Sequence, residues 1–364
     1  VVEALSEPPW VYNPRRLEVG YGEDGQVQTF SPRGFSVRIA RYRGRRLASS
    51  AIISDRTEFS DMFLLEGTRG CPSRCPFCLT GNTNRFLSER REEVPEDVRD
   101  VGIIGGGVSF HPDLPGLIRR LRDRGHRVHL PSLRVDEVPL GVIDLIKEDV
   151  KTLTFGVEAG TERLRRLLGK PVTDRDLYER IEAIAGLKAF HLKLYFMIGV
   201  YSETWADVEG IVALAKHATH LMVKQGAKRG AVGAVTVHAS PFVPKAATPF
   251  QWLPMAETKE LKEKIALLRR GLSKVGNTYF THESVKHSFL QAVLSRGDRR
   301  VQAVVASLAE EDQNLTRIMR ESPINLNFYA TRPRGKDEIF PWDFIEGLKS
   351  KKTLYAMLGR RALR

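Results

Sequence analysis

From residue 62 onward, short apolar stretches alternate with amphipathic ones in a steady rhythm. MFLLEG begins it, followed by DVGIIGGG (100–107), HRVHLPSL (126–133), KTLTFGVEAG (151–160), FHLKLYFMIG (190–199) and GAVTVHASPFVP (233–244). Each has the length of a strand, and between them lie helical runs such as DLPGLIRRLRDRG, LGVIDLIKE, DRDLYERIEAIAGL and TWADVEGIVALAKHA. In the last of these, Trp205, Val208, Ile211, Val212 and Ala215 share one stripe. In the next helix Leu261, Ile265, Leu268 and Leu272 do the same. Strand then helix, repeated six times, predicts a parallel sheet wound right-handedly. Six units fall short of the closed eight-unit form, so the fold class expected is α/β, a partial (β/α)6 parallel barrel.

Alternation inside the strands adds a second expectation. Leu153, Phe155 and Val157 oppose Thr152, Thr154 and Glu158; Leu192, Leu194, Phe196 and Ile198 oppose Lys193, Tyr195 and Met197; Val235, Val237 and Ala239 oppose Thr236, His238 and Ser240. Parallel strands buried on both faces read as near-continuous apolar runs. These do not, so one face meets the helices and the other lines a polar interior. A polar network filling a closed core is the alternative reading of the same pattern.

The flanks differ from the middle. Residues 1–60 are punctuated by Gly and Pro, with a hairpin expected around Glu23-Asp24-Gly25, and form a small β-rich N-terminal extension. The barrel occupies 61–274, and 275–364 reads as a helical C-terminal appendage that packs on the barrel or covers its mouth. No internal repeat or low-complexity segment is visible. No run of about 18 apolar residues exists, so no membrane span is expected. The start lacks the order of a signal peptide, and Val1 in place of an initiator methionine leaves room for residues upstream.

Composition, 42% hydrophobic and 28% charged, is that of a chain with ample core. The net charge of +13 comes from arginine clusters at 38–46, 119–127, 163–166 and 295–300 and in the tail GRRALR. Two readings stay open: attraction to a polyanion such as RNA, or arginine-rich solvated helix faces spread along the chain.

Chemistry concentrates in one place. The stretch LLEGTRGCPSRCPFCLTGN holds Cys71, Cys75 and Cys78, the chain's 3 cysteines, immediately after the first strand. In parallel α/β folds, sites gather at the carboxyl ends of strands. Thiolates select zinc, copper(I) or iron–sulfur. Structural zinc takes four closed ligands, and a cubane cluster normally takes four cysteines. Three thiols leave one iron of a [4Fe-4S] cluster open to a small molecule; zinc or redox thiols are the alternatives.

The C-x3-C-x2-C loop, with Phe77 before its last cysteine, resembles the defining loop of the radical S-adenosylmethionine superfamily, and the strand–helix units resemble that superfamily's partial barrel over roughly residues 60–250. The resemblance implies a [4Fe-4S] cluster on Cys71, Cys75 and Cys78 and S-adenosylmethionine on its open iron. It also implies reductive cleavage to methionine and a 5′-deoxyadenosyl radical that abstracts a substrate hydrogen. It further implies cofactor contacts along the strand ends: Gly105, Gly106 and Gly107 near the methionine amino group, with Gly107 where the pattern usually has glutamate. Ser132 and Arg134 would meet ribose and carboxylate. Glu158 would be a polar contact with Arg165 a lesser one, and Ile198 and Gly199 would lie near adenine.

GVEAGTERLRRLLGK, KLYFMIG and SPFVPKAATPFQW are similar to the branch containing methylthiotransferases and cobalamin-binding radical enzymes. A methylthiotransferase needs a second cluster, for which no cysteines remain. Cobalamin is expected only from an upstream domain or a partner, since the residues before Cys71 are few and lack an Asp-x-His-x-x-Gly loop. Inside the barrel, Lys193, Tyr195 and His238, with Lys245 beyond, are the candidates for holding an anionic substrate or relaying a proton. The expected protein is a cytoplasmic radical enzyme, because such clusters are oxygen-labile. It would be served by a reductase, flavodoxin or ferredoxin, with methyl transfer the first chemistry and RNA the first macromolecule to test. A non-catalytic iron–sulfur or zinc protein binding nucleic acid, and a scaffold subunit on the same fold, are the other classes.

Overall fold

The sequence rhythm folds into an arc of parallel strands backed by helices. A computed structural model describes residues 8–42, 44, 46–89, 93–310 and 314–362. Strands β1 (Met62–Glu66), β2 (Asp100–Ile104) and β3 (Arg127–His129) form one sheet in chain order. Strands β4 (Thr152–Glu158), β5 (His191–Ile198), β6 (Ala234–Pro241) and β7 (Thr278–His282) form the other, also in chain order. An isolated parallel bridge between Leu133 and Phe155 joins the two. Among the described residues no pairing returns from β7 to β1, so the barrel is partial. The free edge of β1 is covered by residues 48–50: Glu66 N–H donates to Ala48 O at 2.9 Å and Ser50 N–H to Leu64 O at 2.9 Å.

The helices up to Arg296 are α1 (Leu79–Thr83), α2 (Leu114–Asp123), α3 (Leu140–Ile146), α4 (Glu162–Leu167), α5 (Asp174–Leu187), α6 (Trp205–Arg229), α7 (Thr258–Leu272) and α8 (Val285–Arg296); among the described residues Gln302–Glu310, Leu315–Glu321, Leu326–Ala330 and Lys351–Ala362 follow as helices of the C-terminal segment. Four of them start on side-chain caps that satisfy first-turn N–H groups: Asp113 for α2, Thr161 for α4, Thr173 for α5, and a Thr204/Asp207 capping box for α6. Helix α6 stops where Gly230 takes φ +74°, a conformation that favours glycine.

The alternation in β4 and β5 is realised in the packing. Leu153, Phe155, Val157, Leu192, Leu194, Phe196 and Ile198 are buried against the helices, while the intervening side chains are half-buried or exposed towards the barrel interior. Burial of each such large apolar side chain contributes about 2 kcal/mol before the entropy of ordering is counted.

Three particulars differ from the sequence expectation. Trp205 is 45% exposed, because it sits at the first position of α6 outside the stripe that Val208, Ile211 and Ala215 bury. Strand β7 lies in the segment expected to be helical; its sequence TYFTH has no apolar run, and its burial alternates only between half-buried and exposed. The barrel therefore carries one strand more than the six expected. The third strand is regular only over Arg127–His129.

The hairpin expected at Glu23-Asp24-Gly25 is present, Glu18–Tyr21 pairing antiparallel with Val27–Ser31. The two flanks are not independent: Val37–Arg38 pairs in parallel with Ile345–Glu346, and Phe344 packs against Tyr12, Phe30 and Phe35. Fully buried Arg296 anchors the C-terminal segment, donating to the carbonyls of Leu253 (2.7 Å), Tyr329 (2.8 Å) and Arg332 (2.8 Å). Burial pushes its pKa down to about 9. Among the described residues no helix is long and apolar enough to cross a membrane.

Many of the clustered arginines are held in place. Arg122 pairs with Asp149 at 2.6 Å, Arg300 with Asp298 at 2.6 Å and Arg120 with Asp113 at 3.1 Å. Arg43, Arg45 and the side chains of the tail from 361 onward lie outside the described residues.

Candidate functional site

The cysteine loop leaves β1 and is folded back by contacts that only glycine permits. Thr68–Arg69 pairs antiparallel with Leu87–Ser88, and Gly70 follows at φ +73°. A Cβ there would lie 2.5 Å from the Arg85 carbonyl oxygen. Cys75 is buried, Cys71 and Cys78 are half-buried, and all three are free thiols. Cys78 N–H donates to Cys75 O at 3.1 Å, closing the turn before α1. The buried Asn82 on α1 then donates through Nδ2 to both Cys75 O (2.9 Å) and Cys78 O (2.8 Å). Its Oδ1 accepts from Lys349 Nζ at 2.8 Å, so the C-terminal segment reaches back to brace the loop.

The glycine run at the end of β2 lies against this loop. Gly105 has φ +148°, and a Cβ on it would fall 2.2 Å from Thr68 O. A Cβ on Gly107 would meet Gly70 O at 3.1 Å and the Cys71 Cα at 3.4 Å, and one on Gly106 would meet the Thr80 Cγ2 at 2.7 Å. The close approach that these glycines permit is thus used by the cysteine loop itself. Phe77 packs on a small core containing Phe242, Phe250, Trp252 and Phe340, and Pro76 O accepts from Phe250 N–H at 3.1 Å.

Charged side chains from two other strand ends converge on Cys75. Arg134 holds Asp136 through Nε and Nη2, at 3.1 and 2.5 Å, and its Nη1 lies 3.1 Å from Ser73 Oγ and 4.0 Å from Cys75 Sγ. Glu158 closes β4 at φ +74°, where the register with β5 breaks, and accepts from Lys170 Nζ at 2.6 Å. Lys170 also donates to Gly156 O at 2.7 Å. A Cβ on Gly156 would sit 2.6 Å from Glu158 Oε1 and 2.8 Å from Lys170 Nζ, so glycine makes the space for this ion pair. Burial pushes the Cys75 thiol up to about 11, although Lys170 and Arg134 pull the other way. Lys170, Asn82, Asp136 and Ser73 were not found from the sequence. Lys170 follows a helix end and Asn82 lies on a one-turn helix, so neither falls on a strand pattern.

Other candidates are placed apart. Ser132 is exposed beside Leu133. Ile198 is fully buried on the helix side of β5. Gly199, at φ +75°, donates its N–H to Glu203 Oε2 at 2.6 Å, and buried Lys264 reaches the same oxygen at 2.7 Å. Arg165 is fully buried and donates to Val172 O (2.9 Å) and Ala159 O (3.2 Å), tying the loop around α4.

Deeper in the interior, Lys193, Tyr195 and His238 come together. Tyr195 is in register with Gly156 on β4 and His238 on β6, and His238 with Thr281 on β7. Lys193 Nζ stands 5.1 Å from the Tyr195 ring centre, and the Tyr195 and His238 rings are 4.7 Å apart. His238 Nδ1 lies 2.8 Å from Thr281 Oγ1, while Nε2 is 3.4 Å from Glu283 Oε1, without hydrogen-bond alignment. Burial, then the charge of Lys193, lowers the pKa of His238, which favours neutral imidazole. Lys245 lies beyond β6, away from this trio, on an outer cleft.

The donor set suits a cluster better than one ion. Among the described residues no three His, Cys, Asp or Glu side chains converge to hold a single metal ion. A cubane asks each thiolate to meet a different iron, so three thiols spread over one loop fit it.

Residues 65–215 match the family model of the Radical SAM superfamily. An uncharacterized protein of Methanocaldococcus jannaschii is 30% identical over 261 residues, covering 68% of this chain and 55% of that protein. The chain thus spans about half the length of that relative. Among solved structures, Streptococcus suis SuiB bound to S-adenosylmethionine aligns with a TM-score of 0.42 and 10% identity over 61% of this chain and 50% of its own. The cobalamin-dependent S-adenosylmethionine radical enzyme OxsB, with aqua-cobalamin bound, aligns with a TM-score of 0.35 and 10% identity over 70% of this chain and 44% of its own.

Proposed function

We propose that this chain, a member of the radical SAM superfamily through residues 65–215, uses its barrel interior to direct a radical onto an anionic substrate. Membership implies a [4Fe-4S] cluster and S-adenosylmethionine. The carrying observation is the meeting, at one barrel mouth, of three thiols in a braced loop with Arg134 and the Glu158–Lys170 pair. When bound, cluster and nucleoside supply one-electron cleavage of the C5′–S bond and a 5′-deoxyadenosyl radical that takes a substrate hydrogen.

The protein's part is to bind, orient and shield. Cys71, Cys75 and Cys78 hold the cluster, and Asn82 fixes two of their carbonyls. Arg134 and Lys170 offer cations beside Cys75 for the carboxylate of S-adenosylmethionine, and Glu158 offers an acceptor. Lys193 attracts the anionic group of the substrate, and neutral His238 accepts or returns a proton through Nε2. Tyr195 separates the two. Modification of RNA, with methyl transfer the first chemistry to test and cobalamin added as a reagent, is the finer reading. An external flavodoxin, ferredoxin or reductase delivers the electron, in the cytoplasm, where the cluster is protected from oxygen.

The test is anaerobic reconstitution with iron and sulfide, then dithionite and S-adenosylmethionine. The expected result is 5′-deoxyadenosine and methionine from the native chain and neither from Cys75→Ala. A reducible cluster that yields neither product would make the chain a scaffold and overturn the proposal.

A further inference from the structure

Beside the cysteine loop lies a cleft of about 1050 Å³ that no step above uses. Its walls come from residues 39–42 and Gly44 of the N-terminal stretch, the flank of the cysteine loop at 79–87, the turn 245–247 after β6, Ser295 of α8, and the C-terminal segment 342–348. Its charged lining residues among those described are Arg41, Arg69, Arg85 and Lys245, with no Asp or Glu among the described lining. Arg69 is answered by Glu66, and Arg41 by the carbonyls of Thr83 and Gly347. Arg85 and Lys245 have no carboxylate partner among the described residues. Tyr42 is 56% exposed, with the Arg69 guanidinium 5.3 Å from its ring centre. Apolar lining comes from Ile39, Leu87, Ile345 and Leu348.

We propose that this cleft binds single-stranded RNA. Cationic side chains, an apolar lining and an exposed aromatic ring in one cleft offer phosphates and bases separate partners. Asn84 and Ser295 on the walls offer hydrogen-bond partners to 2′-hydroxyls, which DNA lacks. Leu79 adjoins Cys78, so a strand lying here passes beside the cysteine loop. The role as substrate site rests on the radical reading above; the binding itself does not.

The experiment is fluorescence anisotropy of a labelled mixed-sequence RNA oligonucleotide on the full chain across salt concentrations, with the matching DNA strand and polyglutamate as competitors. Arg85→Ser and Lys245→Ser should each weaken binding and reduce the salt slope by about one. Tyr42→Ala should weaken binding roughly tenfold without changing the slope. Unchanged iron and sulfide content in Arg85→Ser and Tyr42→Ala checks that both variants fold. Wild-type affinity in all three variants, or equal displacement by DNA or polyglutamate, would overturn the proposal. Variant-sensitive RNA binding in a chain that fails to cleave S-adenosylmethionine would sink the radical reading and leave the cleft standing. Cleavage with variant-insensitive binding would do the reverse.

Discussion

The two halves of the barrel wall are built on different terms. Strands β1, β2 and β3 have five, five and three residues, and what they carry is held by backbone against backbone: Gly70 on Arg85, Gly105 on Thr68, Gly107 on the Cys71 turn. Strands β4 to β7 have seven, eight, eight and five residues, and their interior is a set of side chains placed by alternation. At Gly70, Gly105 and Gly107 the first half has no slack, because a methyl group there meets main chain. Interior side chains of the second half should tolerate change better, because the buried apolar side chains of β4 and β5 lie on the opposite, helix-facing side. A site that must hold a cofactor rigidly and also adapt to a substrate gains from that division.

If the division is right, substitutions in the halves should separate activity from stability. The largest effect expected is in the second half: Lys193→Met should cut product formation by roughly 100-fold, while the urea midpoint and the yield of 5′-deoxyadenosine stay near the native values. Equal loss of product and of stability would erase the contrast. In the first half, Gly105→Ala should lower stability by about 2 kcal/mol, since φ +148° and the Thr68 carbonyl both oppose a Cβ, and iron content should fall with it. Urea unfolding together with iron analysis reads both.

The smallest effect is a pH slope. His238 takes up its proton less readily folded than unfolded, because burial and Lys193 oppose the charge, with Glu283 opposing that effect and His282 adding to it. Between the lowered folded pKa and the ordinary histidine value of about 6.5, the unfolded chain binds more protons. Stability should therefore fall as pH drops through that window and recover as pH rises. His238→Gln should flatten this part of the curve, and an unchanged slope in urea melts at several pH values would contradict it.

Legibility in the sequence follows the same line. The second half is readable because β4, β5 and β6 alternate in sequence, which places Lys193, Tyr195 and His238 on one face. The cysteine loop stood out by its spacing, and its reading as a cluster loop came through the resemblance. Strand β7 was not readable, since Tyr279 and Phe280 are neighbours in a short polar segment that shows no apolar face. Lys170 was missed because its position depends on Gly156 leaving space on a different strand. The brace from Lys349 to Asn82 was missed because 267 positions separate them, and no local pattern announces a contact of that kind. The register break at Glu158, which turns that carboxylate to Lys170, is likewise a property of the folded sheet.

The central claim is that three thiols hold a cluster with one iron left open for S-adenosylmethionine. Electron–nuclear double resonance on the reduced, reconstituted chain tests it most directly, using S-adenosylmethionine isotopically labelled in its amino nitrogen and carboxylate oxygen. The account predicts couplings from both labels to the cluster, absent in Cys75→Ala. A reduced cluster that shows neither coupling in the native chain would contradict it.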